Sequence, residues 1–251
     1  NFVYLHLKMS LMMNLIIDQG NSSAKIALFQ GDEMLYFHKY EIFFFYLAEE
    51  VQKLYPYTQA IISSVTEKDE ALTDFLQKNT KNFIVLSHQT PIPLKNLYKT
   101  PETLGRDRIA VCVGANHLKP NTNILVIDAG TAITYDIVNA QNEYVGGNIS
   151  LGIAMRSQAL HTFTAKLPLV DVKDDAPLIG SSTEDAIASG VINGVIGEMQ
   201  SFIDQISAVY PQLAIFLTGG SSKCFEKRIK NQIFAYSNLV HIGLNRILNF
   251  R

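Results

Sequence analysis

Two acidic turns of the same form occur in this sequence, one in each half. The first is Asp18-Gln19-Gly20 and the second is Asp128-Ala129-Gly130. Each follows an apolar run that is typical of a buried strand, and each precedes an alternating segment that predicts a returning strand. Glycine lets backbone N–H groups approach phosphate oxygens, and a carboxylate is a common ligand for Mg²⁺. The two turns therefore indicate a site for phosphate groups and a cation.

A third glycine turn, Thr218-Gly219-Gly220, follows a later apolar run. The sequence contains neither GxxxxGK[ST] nor GxGxxG, so neither a P-loop nor a Rossmann dinucleotide site is indicated. One Asp-x-Gly turn is a weak signal, because such turns are common. Two of them in equivalent places of a repeat, with a glycine turn at a later strand end, favour a cleft that binds a nucleotide.

The strand–turn–strand unit occurs once in each half, and an internal repeat constrains a fold more than local patterns do. Alternating strand and helix patterns predict an α/β protein with mixed sheets. We expect two related lobes, residues 13–119 and 120–251, that face each other across a cleft. Residues 1–12 are apolar but interrupted by His6 and Lys8, and we expect this leader to lie outside the fold.

The composition limits the classes of partner. Of 251 residues, 47% are hydrophobic and 18% are charged, and the net charge is -2. This balance supports a substantial core and gives no electrostatic reason to expect nucleic acid or an anionic membrane as a partner. The two cysteines and six histidines lack the spacing of a zinc site. Isolated thiols are typical of a reducing, cytoplasmic compartment.

A long polar loop leads to a third candidate carboxylate. Residues 91–105 are rich in Pro, Thr and Lys, and the loop ends in Gly105-Arg106-Asp107-Arg108, ahead of a helix predicted at 109–118. Long ordered loops are commonly functional. An acid in the first turn of a helix is also favoured by the helix dipole. Taken alone, that structural role is the better explanation of Asp107.

The remaining elements follow from periodicity and turn signals. Strands are predicted at 23–29, 34–40, 60–65 and 83–86, within 143–152 as a strand that leads into a glycine turn, at 213–218 and at 239–242. Helices are predicted at 43–55, 67–78, 153–166 and 183–210. We attribute Gly190, Gly194 and Gly197, within the last of these helices, to close helix packing.

Five motifs together resemble type III pantothenate kinase, of the acetate-and-sugar-kinase, heat-shock-chaperone and actin superfamily. The resemblance covers nearly the whole chain from Met13, and the set is specific although each motif alone is not. The motifs, in chain order, are Asp18-Gln19-Gly20-Asn21-Ser22, Gly105-Arg106-Asp107-Arg108, Asp128-Ala129-Gly130-Thr131-Ala132, Gly146-Gly147-Asn148-Ile149 and Thr183-Glu184-Asp185-Ala186-Ile187.

This resemblance implies two duplicated ribonuclease-H-like lobes, each a mixed five-stranded sheet flanked by helices, with a cleft between them. It implies a cytoplasmic homodimer, with the pantothenate pocket near the subunit interface. The implied reaction is ATP-dependent phosphorylation of pantothenate to 4'-phosphopantothenate, the first step of coenzyme A biosynthesis. The implied cofactors beside ATP are Mg²⁺ and a monovalent cation, K⁺ or NH₄⁺.

The same resemblance implies a role for individual residues. Asp107 is expected to be the general base that accepts the proton of the pantothenate hydroxyl. Asp128 is expected to hold the monovalent cation, and Asp18 is a candidate ligand for Mg²⁺. The expected ATP-binding residues are Asp18, Gln19, Gly20, Asn21, Ser22, Ser23, Ala24, Lys25 and Thr131. The expected pantothenate-binding residues are Tyr98, Gly105, Arg106, Asp107, Arg108 and Thr183.

Two residues depart from the family pattern, and two other functions stay open. Ser22 replaces the usual Thr but keeps the hydroxyl, and Leu151 stands where the family has Pro. One alternative is a catalytically silent regulator of the same fold that binds a nucleotide. The other is a kinase for another small hydroxyl substrate, such as a sugar. The three retained carboxylates argue against the silent regulator.

Overall fold

A computed structural model of this protein describes residues 13–20, 23–41, 45–64 and 69–250. These residues form two units. Unit 1 contains the described residues up to Lys95, together with Lys99–His117 and the residues from Leu239 onward. Unit 2 contains Asn96–Tyr98 and Leu118–Asn238. The predicted division assigned residues 239–251 to the second lobe, whereas their contacts place them with the first. The predicted leader, residues 1–12, lies outside the described residues.

Strands and helices alternate through both units after an opening antiparallel meander. The strands are β1 (Met13–Gln19), β2 (Ala24–Gln30), β3 (Glu33–Tyr40), β4 (Gln59–Ser64), β5 (Asn82–Val85), β6 (Lys95–Asn96), β7 (Ile124–Ala129), β8 (Ala132–Val138), β9 (Glu143–Leu151), β10 (Ala214–Thr218) and β11 (Ile233–Ala235). The α-helices are α1 (Phe45–Leu54), α2 (Glu70–Asn79), α3 (Arg106–Leu118), α4 (Ile153–Thr162), α5 (Thr183–Val209), α6 (Ser222–Glu226) and α7 (Leu239–Leu248). A short 3₁₀ helix, Pro101–Thr103, precedes α3.

The two sheets repeat the same topology, which confirms the predicted duplication. The sheet of unit 1 has the order β3-β2-β1-β4-β5, and the other sheet has the order β11-β10-β7-β8-β9-β6. In each, the first three strands form an antiparallel meander and the two later strands pair in parallel beside the first. Strands β7–β11 therefore correspond to β1–β5. Five strands are predicted for each sheet. The first sheet has five, and the second has six because β6 is added at its edge.

The central strand of each sheet is buried because apolar residues occupy both of its faces. In β1, Leu15, Ile16 and Ile17 are fully buried, and one face of this sheet packs against α1 and α2. In β7, residues 124–127 are fully buried, and one face packs against α5 through Val195, Met199 and Ile203. Each acidic turn thus follows a strand that packing holds rigidly on both sides.

The prediction of a strand at residues 239–242 is wrong, because this segment begins helix α7. Buried residues surround the whole helix, including the polar side chains of His241 and Asn245. A helix buried on all sides gives a short apolar run that periodicity cannot distinguish from a buried strand. The last strand is instead β11, a three-residue strand at the sheet edge.

One predicted boundary also differs from the structure. Helix α3 begins at Arg106, so Asp107 lies within its first turn and not before the helix. Strand β9 agrees with its prediction, since it passes through Gly146, ends at Leu151 and is followed by Gly152. The register between β8 and β9 shifts beside Gly146, which has φ +141. A glycine accommodates such a bulge without the steric cost that a side chain would bring.

The long helix α5 confirms the predicted N-terminal cap, because the Ser182 side chain accepts a hydrogen bond from the Asp185 N–H. The prediction that close helix packing explains the glycines of α5 is wrong for Gly190 and Gly197 among the described residues. An ideal Cβ on Gly190 or Gly197 would meet no heavy atom within 4 Å. Among the helices that the structure describes, none is long and apolar enough to cross a membrane.

His241 of α7 is a buried histidine that contacts the sheet of unit 1. It is 1% exposed, and its ring meets the Phe37 ring edge-on at 5.3 Å between centroids. Neither ring nitrogen has a hydrogen-bond partner among the described residues. Burial, with a smaller contribution from the Lys25 charge, lowers the pKa of His241 to about 3, and the Lys25 backbone opposes this shift only weakly.

We therefore expect the protonation of His241 to make the free energy of unfolding depend on pH. In the unfolded chain a histidine binds a proton below about pH 6.5, whereas folded His241 resists protonation down to about pH 3. The free energy of unfolding should fall as the pH drops from 6.5 towards 3, by several kcal/mol in total, because each pKa unit is worth about 1.4 kcal/mol. Urea denaturation of wild type and His241→Phe at pH 7 and pH 4.5 measures this. Equal losses in both proteins would contradict the assignment.

Candidate functional site

Asp18 is at the end of the central strand of unit 1, between two polar neighbours. The strand register places it opposite Lys25 of β2 and Ser63 of β4, so the three side chains share one face of the sheet. The Lys25 Nζ lies 3.6 Å from Asp18 Oδ2. The Gly20 N–H donates to the Ser23 carbonyl at 3.0 Å and closes the turn. The predicted contacts Asn21 and Ser22 lie outside the described residues.

The surroundings of the Asp18 carboxylate disfavour its charged form. Its side chain is only 14% exposed. Burial raises the pKa of Asp18, the Lys25 charge partly opposes this, and the Asp107 charge raises the pKa further. The fold brings these two predicted site residues near each other, although 89 positions separate them in the sequence. Ser63 lies opposite Asp18, and the next residue, Ser64, accepts a hydrogen bond from Arg106, which precedes Asp107. A cation bound between the two carboxylates would relieve both burial and repulsion.

Asp107 is positioned by the start of α3. Its Oδ1 accepts a hydrogen bond from the Arg108 N–H at 2.8 Å. An ideal Cβ on Gly105 would lie 2.6 Å from this oxygen, so the carboxylate can occupy its position only beside a glycine. The Arg106 Nη1 donates to the Ser64 carbonyl at 2.7 Å and ties the helix start to the end of β4. Asp107 and Arg106 are exposed, whereas Arg108 is 5% exposed.

Asp128 occupies the equivalent position in unit 2. It lies opposite Thr134 of β8 and Thr218 of β10. An ideal Cβ on Gly130 would lie 3.3 Å from Asp128 Oδ1, and one on Gly219 would collide with the same oxygen and with the Ala129 carbonyl carbon at 2.5 Å. Gly219 also has φ +95, which favours glycine. The two predicted turns of this unit, at Gly130 and Gly219, therefore meet around one carboxylate oxygen.

The two acidic sites differ in charge at the position opposite the carboxylate on the antiparallel neighbouring strand. Lys25 pairs with Asp18 in unit 1, and Thr134 stands opposite Asp128 in unit 2. The Thr134 Oγ1 is buried and has no hydrogen-bond partner among the described residues. A carboxylate and an unsatisfied hydroxyl are both oxygen donors suited to a hard cation. Sequence reasoning missed Thr134, although its alignment with Lys25 in the repeat could have identified it.

The donor set for Mg²⁺ is sparse. Within the described residues, no group of three or more His, Cys, Asp and Glu side chains could hold a metal ion. Mg²⁺ commonly takes one or two carboxylates and completes its shell with water and substrate phosphates. The Asp18 carboxylate fits that pattern, since its charge is only partly offset by Lys25.

The other predicted contacts lie in unit 2. Thr131 is exposed in the turn between β7 and β8, and its carbonyl accepts a hydrogen bond from the Gly152 N–H at 3.2 Å. A Cβ on Gly152 would collide with that carbonyl, so the glycine before α4 fixes the turn. The Tyr98 ring packs against the Tyr144 ring at 6.0 Å. Thr183 is the exposed first residue of α5.

Leu151, the departure from the family pattern, ends β9 as an ordinary strand residue. It pairs with Ala132 of β8, and its carbonyl accepts a hydrogen bond from Arg156 Nε at 2.8 Å. Gly152 follows as the N-terminal cap of α4. The strand-to-helix turn therefore forms without a proline.

Two solved structures share this duplicated fold, and both bind a nucleotide analogue. The ROK family glucokinase from Streptomyces griseus, in complex with glucose and AMPPNP, has a TM-score of 0.53 and 11% identity over 94% of this chain and 98% of its own. The activator of 2-hydroxyisocaproyl-CoA dehydratase from Clostridium difficile, with bound ADPNP, has a TM-score of 0.54 and 9% identity, covering 94% of each chain. At such identities the likeness concerns the fold alone, and this is a fold that a sugar kinase also has.

Comparison with known sequences assigns this chain to one family. A profile described as type III pantothenate kinase matches residues 14–205. The type III pantothenate kinase of Phocaeicola vulgatus is 47% identical over 238 residues, which covers 95% of this chain and 98% of the relative. That of Bacteroides fragilis is 44% identical over 243 residues, with the same coverage. This chain therefore belongs to the type III pantothenate kinase family.

We expect Asp18 to reduce the stability of the folded protein at neutral pH. Its pKa is raised by burial and by Asp107, so ionisation costs more in the folded than in the unfolded chain. The wild type should therefore lose free energy of unfolding relative to Asp18→Asn as the pH rises above 3.8, the ordinary value. Thermal melts at pH 4 and pH 7.5 measure the difference. Lys25→Met is the opposing control, because it leaves the carboxylate without its ion pair and should lower the melting temperature.

We expect Gly219→Ala to destabilise unit 2. The new Cβ would collide with Asp128 Oδ1 and the Ala129 backbone, at a positive φ that disfavours alanine. The cost should be about 1–3 kcal/mol, as for other overpacked sites. Gly220→Ala is the matched control, because its Cβ would meet nothing within 4 Å. Chemical denaturation compares the two variants, and equal stabilities would contradict the packing around Asp128.

Proposed function

We propose that this protein phosphorylates pantothenate with ATP, giving 4'-phosphopantothenate and ADP in coenzyme A biosynthesis. Its family membership supports this function, since the relatives named above are type III pantothenate kinases that align along nearly their whole length. The observation that carries the proposal is the position of Asp18 and Asp107 in unit 1, where the Arg106 side chain ties the start of α3 to the end of β4, the strand that pairs with β1 beside Asp18. Two carboxylates near one phosphate-binding turn suit phosphoryl transfer to an alcohol.

Asp107 is the general base in this proposal. It accepts the proton of the pantothenate hydroxyl as that oxygen attacks the γ-phosphorus, and the bond from the γ-phosphorus to the β,γ-bridging oxygen breaks to release ADP. The carboxylate is exposed, which allows a substrate to reach it, and Gly105 leaves room for one orientation of it. Tyr98, Arg106, Arg108 and Thr183 stay predicted pantothenate contacts.

The phosphate-binding residues of the proposal surround the first acidic turn. Mg²⁺, bound together with ATP, offsets the negative charge of the phosphates. Asp18 would hold the ion, and Lys25 would balance the carboxylate beside it. Residues 19–25 and Thr131 stay predicted ATP contacts.

A monovalent cation, K⁺ or NH₄⁺, completes the second acidic turn. Asp128 and Thr134 would hold it, since the place of the lysine in the repeat is taken here by a buried hydroxyl that lacks a partner among the described residues. The comparison with Lys25 supports this assignment. In unit 1 the positive group beside the carboxylate is the Lys25 side chain. In unit 2 a cation from solution would bind at the equivalent place.

The proposed assembly is a cytoplasmic homodimer formed through unit 2. Phe163, Leu178 and Ile179 are between 80% and 85% exposed. Leu178 and Ile179 are adjacent in the sequence, and exposed apolar patches mark interaction surfaces more often than isolated exposed side chains do. A second copy of this chain is the proposed partner, and sedimentation of wild type against Ile179→Asp tests it, since a monomeric wild type would refute the dimer.

Replacing Asp107 tests the chemical role. We expect Asp107→Asn to lower kcat by about 10²- to 10⁴-fold, the usual contribution of a general base. Asp74→Asn is the matched control, because Asp74 is an exposed acid on α2. ADP release is measured with pantothenate and with a panel of sugars. Turnover with a hexose but not with pantothenate would support the alternative kinase, and nucleotide binding without any turnover would support the silent regulator.

Replacing Thr134 tests the cation. We expect Thr134→Val to need a several-fold higher KCl concentration for half-maximal activity, because one oxygen donor is lost. Stability should not fall, since the variant removes a buried hydroxyl that has no partner among the described residues. Thr134→Ser keeps the hydroxyl and should retain the wild-type response. An unchanged KCl response in Thr134→Val would exclude Thr134 as a ligand.

A further inference from the structure

Helix α7 contacts both elements that carry the coupled carboxylates of unit 1. Asp18 ends β1, and Asp107 lies in the first turn of α3. The helix meets α3 through glycines and meets β1 through buried amides. Two elements that are each fastened to a third cannot shift relative to each other without breaking one of those contacts.

The contact between α7 and α3 is backbone against backbone. An ideal Cβ on Gly114 would lie 2.5 Å from the Leu239 carbonyl oxygen and 3.1 Å from the Gly243 nitrogen. A Cβ on Gly243 would collide with the Ala110 carbonyl oxygen, one turn after Asp107. Glycine permits this approach because it has no Cβ. Any side chain at either position would push α3, and Asp107 with it, away from α7.

The contact between α7 and β1 is a chain of buried amides. Asn14 Nδ2 donates to Asn245 Oδ1 at 2.7 Å, and Asn245 Nδ2 donates to the Gly31 carbonyl at 2.8 Å. Gln59 Nε2 donates to Asn14 Oδ1 at 3.1 Å. Asn14 and Asn245 are each 2% exposed. Breaking one of these bonds leaves a buried polar group unpaired, so the network holds α7 in one register on the sheet.

Asn14 and Asp18 lie on the same face of β1, four residues apart, because side chains alternate along a strand. The amide network thus fastens α7 to the face of β1 that presents the Asp18 carboxylate. The glycine crossing fastens the same helix to the second and third turns of α3, at Ala110 and Gly114. The path from one carboxylate to the other runs through α7 and lies entirely within unit 1.

We propose that α7 positions Asp107 relative to Asp18, with Gly114 and Asn245 as positioning residues for the phosphoryl transfer. This inference rests on the proposed function, in which Asp107 is the general base. Neither residue touches the reacting atoms, and each acts through the helix that it fixes. A displacement of about 1 Å in such a residue can lower a rate by roughly 10²-fold.

A kinetic cycle tests the proposal. We expect Gly114→Ala to lower kcat for pantothenate phosphorylation at least about tenfold, while the KM for ATP changes less than about twofold. In the Asp107→Asn background, the same change should have no further effect on the residual turnover, because the base that it displaces is absent. An equal loss in both backgrounds, or an unchanged kcat, would overturn the proposal. Gly197→Ala is the control, as a helical glycine whose Cβ meets nothing within 4 Å.

Hydrogen–deuterium exchange gives a second test that does not need activity. In Asn245→Ala, amides 110–117 of α3 should exchange at least about tenfold faster, while those of α5 keep the wild-type rate. Unchanged exchange in α3 would overturn the positioning role even if the enzyme is active. If the wild type fails to phosphorylate pantothenate, the proposed function fails, and this measurement still decides what α7 holds. The same variant replaces Gly114→Ala in the kinetic cycle if that protein does not fold.

Discussion

A carboxylate buried at the end of a central strand costs free energy, and the site in unit 1 is arranged around that cost. Asp18 is almost covered, and both burial and Asp107 favour its protonated form. Lys25 offsets only part of this penalty. A protein retains such a group where a cation or a substrate uses its charge. The packed faces of β1 keep the carboxylate from moving away, so the repulsion persists in the folded state.

The duplication explains how one unit of structure serves two chemical purposes. Both acidic turns end the middle strand of the same five-strand arrangement, and both face a residue on the neighbouring strand. In one copy that residue is Lys25, and in the other it is Thr134. The ammonium group of Lys25 offsets part of the charge of the first carboxylate. The residue opposite the second carboxylate is a neutral hydroxyl, so the two sites carry different side-chain chemistry on the same strand arrangement.

Glycines set the geometry of these sites because they have no Cβ. Gly105 makes room for Asp107, Gly219 for Asp128, and Gly114 with Gly243 for the crossing of α3 and α7. At each place a Cβ would come closer to its neighbour than any real Cβ contact. The glycines of α5 differ, since nothing packs against Gly190 or Gly197 within the described residues. The function of a glycine therefore depends on its neighbours and cannot be assigned from its presence in a helix.

The sequence by itself determined the repeat, the α/β class, the acidic turns and the family. These features depend on patterns among neighbouring residues and on the order of the motifs along the chain. It also identified Asp107, although only through the family motif. It could not determine that the segment at Leu239 is a helix, since a short run that is buried on every side has no period. The buried Thr134 hydroxyl without a partner among the described residues, and the influence of the Asp107 charge on Asp18, became visible only in the tertiary structure. Strand register and helix packing bring such residues together across long stretches of chain, and local sequence carries no record of that proximity.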